Sequence, residues 1–515
     1  MVVLYVLIAL VVVGLLTGVH WYVWRRLVRD TTARGGWARR TGTAAAFALP
    51  LISVGALIAG RAGAPFPLQR ALAWPGYLWL ALLLYLTLAL LVGEAVRPLL
   101  RAWLSKSADV RSTEGPEAAG GPPGGPPGGP PTAFADDSGA AAPAPAPAAV
   151  CTGGREGAAA EGGAGPAAGD GLGAAVVSEA EAIADGAIET PAGAAGPAVP
   201  GAAKVAEGDA AKSTAQPAAR SIAQPTAKGG AADLAGAAPA SSSRRLFVAR
   251  AVAVGATAVA AGTVGYGTYT VLRGPRVKRI AVPLAKLPRR AHGFRIAVVS
   301  DIHLGPILGR DHTRRVVEAV NRTNPDLVAV VGDLVDGSVA DIGPAAEPLR
   351  GLSARHGGYF VTGNHEYYSG AAEWVDHVRE LGLRPLENER TELPGFDLAG
   401  VNDVAGESEG HGPDFGKALG DRDRSRASVL LAHQPVVIHD AVKAGVDLQL
   451  SGHTHGGQLW PGNYVAELAN PTAAGLDRYG DTQLYVTRGA GAWGPPVRVG
   501  APPDVTVVEL ASTRA

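Results

Sequence analysis

The chain has 515 residues, with 46 basic and 46 acidic side chains and a formal net charge of +0 at pH 7. Proteins that bind nucleic acid carry a basic excess that displaces phosphate counterions, so this balance argues against that class. The chain holds Gly 70 and Pro 39, concentrated between Arg111 and Ala240, and its single cysteine, Cys151, excludes an intramolecular disulfide framework and a Cys-based zinc site.

Four uncharged runs come first: Val2–Trp24 (interrupted only by the ionisable His20), Thr41–Gly60, Ala71–Gly93 and, after a long interval, Ala251–Leu272. A bilayer-spanning helix needs roughly 20 apolar residues. The first and third runs, rich in Leu, Val and Ile, meet that requirement. The second carries Pro50 in its middle, which a membrane helix tolerates. Trp21, Trp24, Trp74, Tyr77 and Trp79 lie near run ends, where interfacial aromatics are expected. Residues 1–104 therefore read as a membrane region with three spans. The loop after the first span holds Arg25, Arg26, Arg29, Arg34, Arg39 and Arg40 against Asp30, whereas the next loop holds Arg61 and Arg70. The positive-inside rule places the first loop in the cytoplasm and the N-terminus outside. The spans carry little ionisable chemistry, which argues for an anchor or partner surface over a transport path.

Residues 105–243 read as a disordered tether: few aromatics, Gly-Pro-Pro units over Gly120–Pro131 and Ala-Pro alternation over Ala142–Ala148. Such a composition buries too little apolar surface to offset chain entropy. Residues 244–275 admit two readings. Arg244-Arg245, followed by Phe247 and a mildly apolar helix, resembles a twin-arginine export signal; it also fits a fourth membrane helix with a basic flank. Both carry the following domain out of the cytoplasm.

From 276 to 515 the composition becomes that of an α/β domain. Strands are expected at Arg295–Ser300, Asp326–Gly332, Gly358–Thr362, Ser428–Leu431, Val446–Leu450, Gln483–Thr487 and Val505–Leu510, with helices at Arg310–Arg322 and Glu373–Leu381. Continuous apolar strands alternating with helices imply buried sheets covered by helices. The polar residues of interest sit just after the strands, where α/β folds place ligand sites. Asp301 and His303 follow the first strand. Gly332-Asp333-Leu334-Val335-Asp336-Gly337 follows the second, and Gly363-Asn364-His365-Glu366 the third. His433, before Gln434-Pro435, and Gly452-His453-Thr454-His455-Gly456 follow the next two. Each alone is a weak signal; five in order, each at a strand exit, make chance a poor explanation. Imidazoles and carboxylates converging without cysteine suit divalent Mn, Fe or Zn, in numbers sufficient for two metals.

With these motifs the segment from Arg295 to about Leu510 resembles the calcineurin-like metallophosphoesterases. The resemblance implies two packed mixed β-sheets flanked by helices, an αββα arrangement with two divalent metal ions at one end. Carried over by position, Asp301, His303 and His455 would hold one metal, Asn364, His433 and His453 the other, and Asp333 would bridge them. His365 is then the acid for the leaving alkoxide and Asp336 its carboxylate partner, although Asp336 also suits a turn cap before Gly337. The closing stretch Tyr485–Arg498 is similar to a bacterial branch whose members are membrane-associated or exported by the twin-arginine route. Arg488 fits either a phosphate contact or a surface ion pair. Gly489-Ala-Gly491-Ala-Trp-Gly494 matches a dinucleotide-binding pattern, but Pro495-Pro496 deny it a following helix, so a tight loop at the site rim is expected.

These expectations combine into a multi-pass membrane protein whose extracytoplasmic domain hydrolyses a phosphodiester or pyrophosphate, such as a lipid-linked or envelope intermediate. The alternative is a non-catalytic membrane scaffold with a phosphoesterase-like binding domain; such domains usually lose ligands, and here none is missing.

Overall fold

The structure is a computed structural model and describes residues 2–113 and 240–514. Most of the Gly/Ala/Pro segment, with Cys151, lies outside the described residues. Four helices are long and apolar enough to cross a membrane: α1 (Val2–Trp24), α2 (Trp37–Ala59), α3 (Phe66–Thr113) and α4 (Ala240–Leu272). Helices α3 and α4 overrun the boundaries expected at 104 and 244, and Pro50 sits inside a continuous α2. Small residues bring the helices together, as they do where lipid removes any hydrophobic drive between spans. Gly76 of α3 packs against Ser53 and Ala56 of α2, and Ser53 Oγ donates to the Gly76 carbonyl at 2.8 Å. Gly93 of α3 meets Val252 of α4. Near the Arg25–Arg29 turn, Arg26 pairs with Glu94 at 2.9 Å and Arg250 donates to the Thr31 carbonyl at 3.1 Å.

Beyond α4 the chain forms two six-stranded mixed sheets. The first contains β1 (Arg276–Leu284), β2 (Phe294–Val299), β3 (Leu327–Val331), β4 (Gly358–Val361), β5 (Leu383–Pro385) and β12 (Asp504–Ser512), in the order β1-β12-β2-β3-β4-β5. The second contains β6 (Glu389–Leu393), β7 (Phe396–Gly400), β8 (Ala427–Leu431), β9 (Leu448–Ser451), β10 (Gly475–Tyr479) and β11 (Thr482–Val486), in the order β10-β11-β9-β8-β7-β6. The central strands are parallel: β2–β3–β4 in one sheet and β7–β8–β9–β11 in the other. Antiparallel pairs lie at β12–β2, β6–β7 and β10–β11.

The period-two alternation of the strands splits their side chains between two layers. Ile296 and Val298 of β2, Ala329 and Val331 of β3, and Val429 and Leu431 of β8 fill the space between the sheets. Their neighbours Ala297, Val299, Val328 and Val330 face outward onto α5 (Arg310–Asn321), α6 (Val339–Ala346) and α8 (Ala371–Glu380), where Trp374 is fully buried. On the other side Leu430 packs with Ile438 and Ala441 of α10 (Ile438–Ala444). Strands covered on both faces need apolar residues at every position, which is why they read as continuous runs. β6 is the edge strand of the second sheet, joined to β7 through Pro394-Gly395. The remaining helices are short: α7 (Asn364–Ser369), α9 (Phe415–Leu419) and α11 (Gly462–Ala469).

Candidate metal centre

The loops leaving β2, β3, β4, β8 and β9 meet at one end of the sandwich and bring together every residue singled out in the motifs. Asp301, His303, Asp333, His453 and His455 all have positive φ, at 51°, 49°, 52°, 72° and 51°. Left-handed backbone is uncommon for residues with a side chain and clusters where surrounding structure enforces a functional geometry. Here it turns each chain sharply at the strand exit, so that side chains from adjacent motifs face a common centre. Glycines permit the close approach: a Cβ on Gly363 would collide with the Asp333 carboxylate, and one on Gly491 with the Ile302 backbone.

Three overlapping groups offer donor atoms within 4.8 Å of one another: Asp301, His303 and His455; Asp333, His433 and His453; and His303, Asp333 and His365. All are buried. Asn364 completes the set through Oδ1, 3.1 Å from His453 Nδ1. The donors fit divalent metal. His303 Nε2 and His455 Nε2 face each other at 3.0 Å, and His433 Nε2 lies 3.1 Å from Asp333 Oδ2 without an aligned hydrogen bond. A buried imidazole nitrogen turned toward a carboxylate oxygen with no aligned partner, beside a second pair of imidazole nitrogens facing each other, is what a cation among them would satisfy.

The electrostatics follow from this crowding. Burial works to raise the Asp333 carboxyl, but His433, His365 and His303 around it hold it well below the usual carboxylate range. Burial and then His433 lower His453 to about 4; burial and then the Arg498 guanidinium hold His455 well below the ordinary histidine value. His453 and His455 are thereby held neutral beside an ionised Asp333, whereas for His433 burial works downward but the Asp333 carboxylate against it holds it well above the ordinary histidine value.

Around the donors lies a supporting ring. His303 Nδ1 is 2.9 Å from Asp336 Oδ1, and His365 Nδ1 is 2.8 Å from the same oxygen. Asp336 thus pairs with the expected His365 and also with a candidate ligand. His433 Nδ1 donates to the Val331 carbonyl at 2.9 Å, which fixes that ring with Nε2 inward. Gly489-to-Gly494 is a loop on the floor and rim of the site: Gly491 lies against Ile302, and the Trp493 ring is 5.8 Å from that of His365. Arg488 is half-buried against Gly456.

Two residues that carry the site were not singled out by sequence. Glu366 accepts hydrogen bonds from the backbone N–H groups of Asp333, Leu334 and Gly363 at 2.9, 2.7 and 2.6 Å, clamping two of the motif loops together. Burial and the neighbouring Asp333 push its carboxyl up to about 7. Its position near the start of α7, at the end of Gly-Asn-His-Glu, was the available signal. Arg498 is 2% exposed and donates to His455 Nδ1 at 2.7 Å and to the carbonyls of His455 and Gly491 at 2.8 and 2.9 Å. Burial lowers it to about 10, still cationic near neutrality. Nothing in the local sequence Pro-Pro-Val-Arg distinguishes it from a surface arginine.

Comparison with known proteins agrees with this geometry. Residues 294–457 match the family model described as calcineurin-like phosphoesterase. A transmembrane protein with metallophosphoesterase domain from Danio rerio is 40% identical over 260 residues, covering 48% of this chain and 59% of that protein. An uncharacterized metallophosphoesterase from Helicobacter pylori is 38% identical over 247 residues, covering 47% of this chain and 66% of its own. The chain thus spans less than two thirds of the length of either of these relatives. An uncharacterized metallophosphoesterase from Aquifex aeolicus is 35% identical over 240 residues, covering 46% of this chain and 91% of that protein. With four apolar helices ahead of two packed sheets and the whole motif set gathered at one end of them, the chain belongs to the calcineurin-like phosphoesterases.

Proposed function

We propose that this chain is a multi-pass membrane hydrolase that cleaves a phosphodiester or pyrophosphate bond at a two-metal centre on the extracytoplasmic side, with a lipid-linked or envelope intermediate as substrate. Asp301, His303 and His455 would hold one cation, Asn364, His433 and His453 the other, and Asp333 would serve both. When bound, two divalent cations (Mn, Fe or Zn) supply Lewis acidity toward phosphoryl oxygens and a water acidic enough to attack phosphorus near neutral pH.

The chain's own residues supply the rest. His303 donates through Nδ1 to Asp336, which leaves its Nε2 lone pair free to ligate, and Arg498 holds the His455 ring in orientation. His365 is held through Nδ1 by Asp336, so the proton it passes to a departing alkoxide sits on Nε2. The ionised Asp336 carboxylate favours the protonated imidazole needed for that transfer. Trp493 and Tyr368, edge-on to the His365 ring at 5.8 and 5.5 Å, keep it in place.

The observation that carries this reading is the sharing of Asp333 between buried donor groups drawn from five separate strand exits. For the orientation, the support is the arginine-rich Arg25–Arg40 loop together with Arg244-Arg245 at the start of α4; a twin-arginine signal and a plain fourth span predict the same side. The test is a screen of the full chain with added Mn²⁺ against chromogenic phosphodiesters, phosphomonoesters and lipid-linked pyrophosphates. Metal-dependent turnover of a diester or pyrophosphate supports the proposal; no turnover of any phosphoester by metal-loaded protein contradicts it and favours the scaffold.

A further inference from the structure

The candidate centre opens into a cavity of about 660 Å³ whose far wall is built by membrane helices rather than by the phosphoesterase domain. On the domain side, His303, Asp336 and His365 line it, with the Trp493–Pro496 loop as rim. Opposite them are Ala56 and Leu57 of α2, the α2–α3 turn with Arg61, and one face of α3. That face is Phe66, Gln69, Ala73, Tyr77 and Leu80, spaced three, four, four and three residues apart. This is the spacing of a single helical stripe. At 1.5 Å rise per residue the stripe is roughly 21 Å long. Gln69 is its only amide; from Ala73 to Leu80 it is apolar and aromatic. Two α-helices that served only as an anchor would have no reason to turn a stripe of this length toward a reaction centre.

The α2–α3 pair is also fixed in register to present that wall. Gly76 lies tight against α2, with Ser53 Oγ on its carbonyl, and Tyr77 faces Gly494 of the rim loop across the cavity lining. Farther along α3, Tyr85 donates to the Trp460 carbonyl at 3.0 Å, tying the helix to the segment that follows the His453–His455 motif. Next to it, Tyr464, Val465 and Leu468 of α11 are 58%, 67% and 89% exposed, an apolar surface beside a membrane helix. Apolar side chains of this size, exposed and contiguous with a bilayer-crossing helix, belong in lipid rather than water. The mouth of the centre therefore lies at the bilayer surface.

Building on the phosphoesterase reading above, we infer that the α2–α3 pair forms the tail site of the enzyme and that its substrate is an amphiphilic phosphoester entering from the membrane. Its phosphoryl group lies at the donor cluster and its long hydrocarbon tail along Ala73, Tyr77 and Leu80. Cavities with one polar end and an apolar remainder orient such ligands: burial of each methylene contributes about 0.8 kcal/mol, while the polar end alone fixes direction. The membrane helices thus determine specificity, and a water-soluble phosphoester uses only the polar end.

The experiment uses the full chain in phosphatidylcholine nanodiscs with Mn²⁺. Two nitrophenyl phosphodiesters are compared, one with a methyl and one with a hexadecyl second ester, the latter also made with a terminal diazirine for photocrosslinking. The expected result is a kcat/KM at least tenfold higher for the hexadecyl ester, with crosslinks mapping to 56–80. Leu80→Trp on α3, and independently Leu57→Trp on α2, should reduce the preference toward one and remove those crosslinks. Leu51→Trp, on a surface of α2 that is 72% exposed, controls for general partitioning of the probe into the bilayer and should change neither. A preference that survives both wall variants, or crosslinks confined to other helices, overturns the tail site. Crosslinking does not require turnover, so crosslinks at 56–80 with no hydrolysis of either ester would retain the tail site and refute the phosphoesterase reading instead.

Discussion

Asp336 accepts a hydrogen bond from Nδ1 of His303 at 2.9 Å, and the same carboxylate oxygen lies 2.8 Å from Nδ1 of His365. Both rings line the cavity and share a donor group with Asp333, and His303 belongs in addition to the group of Asp301 and His455. Asp336→Asn should therefore do two things at once: weaken metal binding by about 10–100-fold, as loss of a ligand's orienting partner does, and slow turnover. Competition with a fluorescent chelator measures the first and steady-state kinetics at saturating metal the second. Unchanged metal affinity would show that the His303 contact does not matter to the centre.

His365→Ala separates the acid from the ligand. As an acid it should retain both metals while losing about 10²–10⁴ in rate on alkyl leaving groups, or roughly 3–5 kcal/mol of barrier. The loss should be small for nitrophenolate, which departs without a proton. Metal loss in this variant would instead place His365 among the ligands, as the triple His303–Asp333–His365 geometrically allows.

Arg498→Lys tests the residue that sequence did not reveal. Its guanidinium reaches His455 Nδ1 and two carbonyls at once, a fork that a lysine cannot reproduce. The variant should lose about 10–100-fold in affinity at the cation site containing His455, seen as one weakened step in a Mn²⁺ titration. Two unaltered steps would reduce Arg498 to a structural filler.

The sequence made the motifs legible because metal chemistry demands particular residue types at strand exits, and strands buried on both faces must be apolar throughout. It was less informative where a contact is made far along the chain. β1, Arg-Val-Lys-Arg-Ile-Ala-Val-Pro-Leu, is an edge strand with exposed basic side chains and carries no apolar run to announce it. β6 and β7 are short, and only the Pro394-Gly395 turn between them hints at a hairpin. Arg498 is buried through Gly491 and the nearby α4 backbone at Gly267, and the α3 stripe acquires meaning only when the domain packs against it.

Stability should depend on pH through His312 on α5. Burial, then the charge of Arg315, lowers this histidine from 6.5 to about 4. The unfolded chain binds the proton more readily, so the contribution is complete above pH 6.5 and lost as pH falls from there toward 4, by up to about 3 kcal/mol. His312→Leu should flatten that part of the denaturation profile of metal-free protein measured by urea titration between pH 4 and 7. An identical slope in variant and parent would contradict it.

For topology, protease added to intact spheroplasts should digest residues 276–514 while leaving the Arg25–Arg40 loop protected. Full protection of the domain would reverse the orientation.

The central claim is that Asp333 sits between two cations that these side chains hold, and metal counting addresses it most directly. The full chain, purified and equilibrated with Mn²⁺, should carry two equivalents by elemental mass spectrometry. Asp333→Asn, treated identically, should lose occupancy at both sites together with hydrolysis, since Asp333 lies in one donor group with His433 and His453 and in another with His303. A parent protein with no bound metal, or an Asp333→Asn variant that keeps two equivalents and most of its rate, would contradict the account.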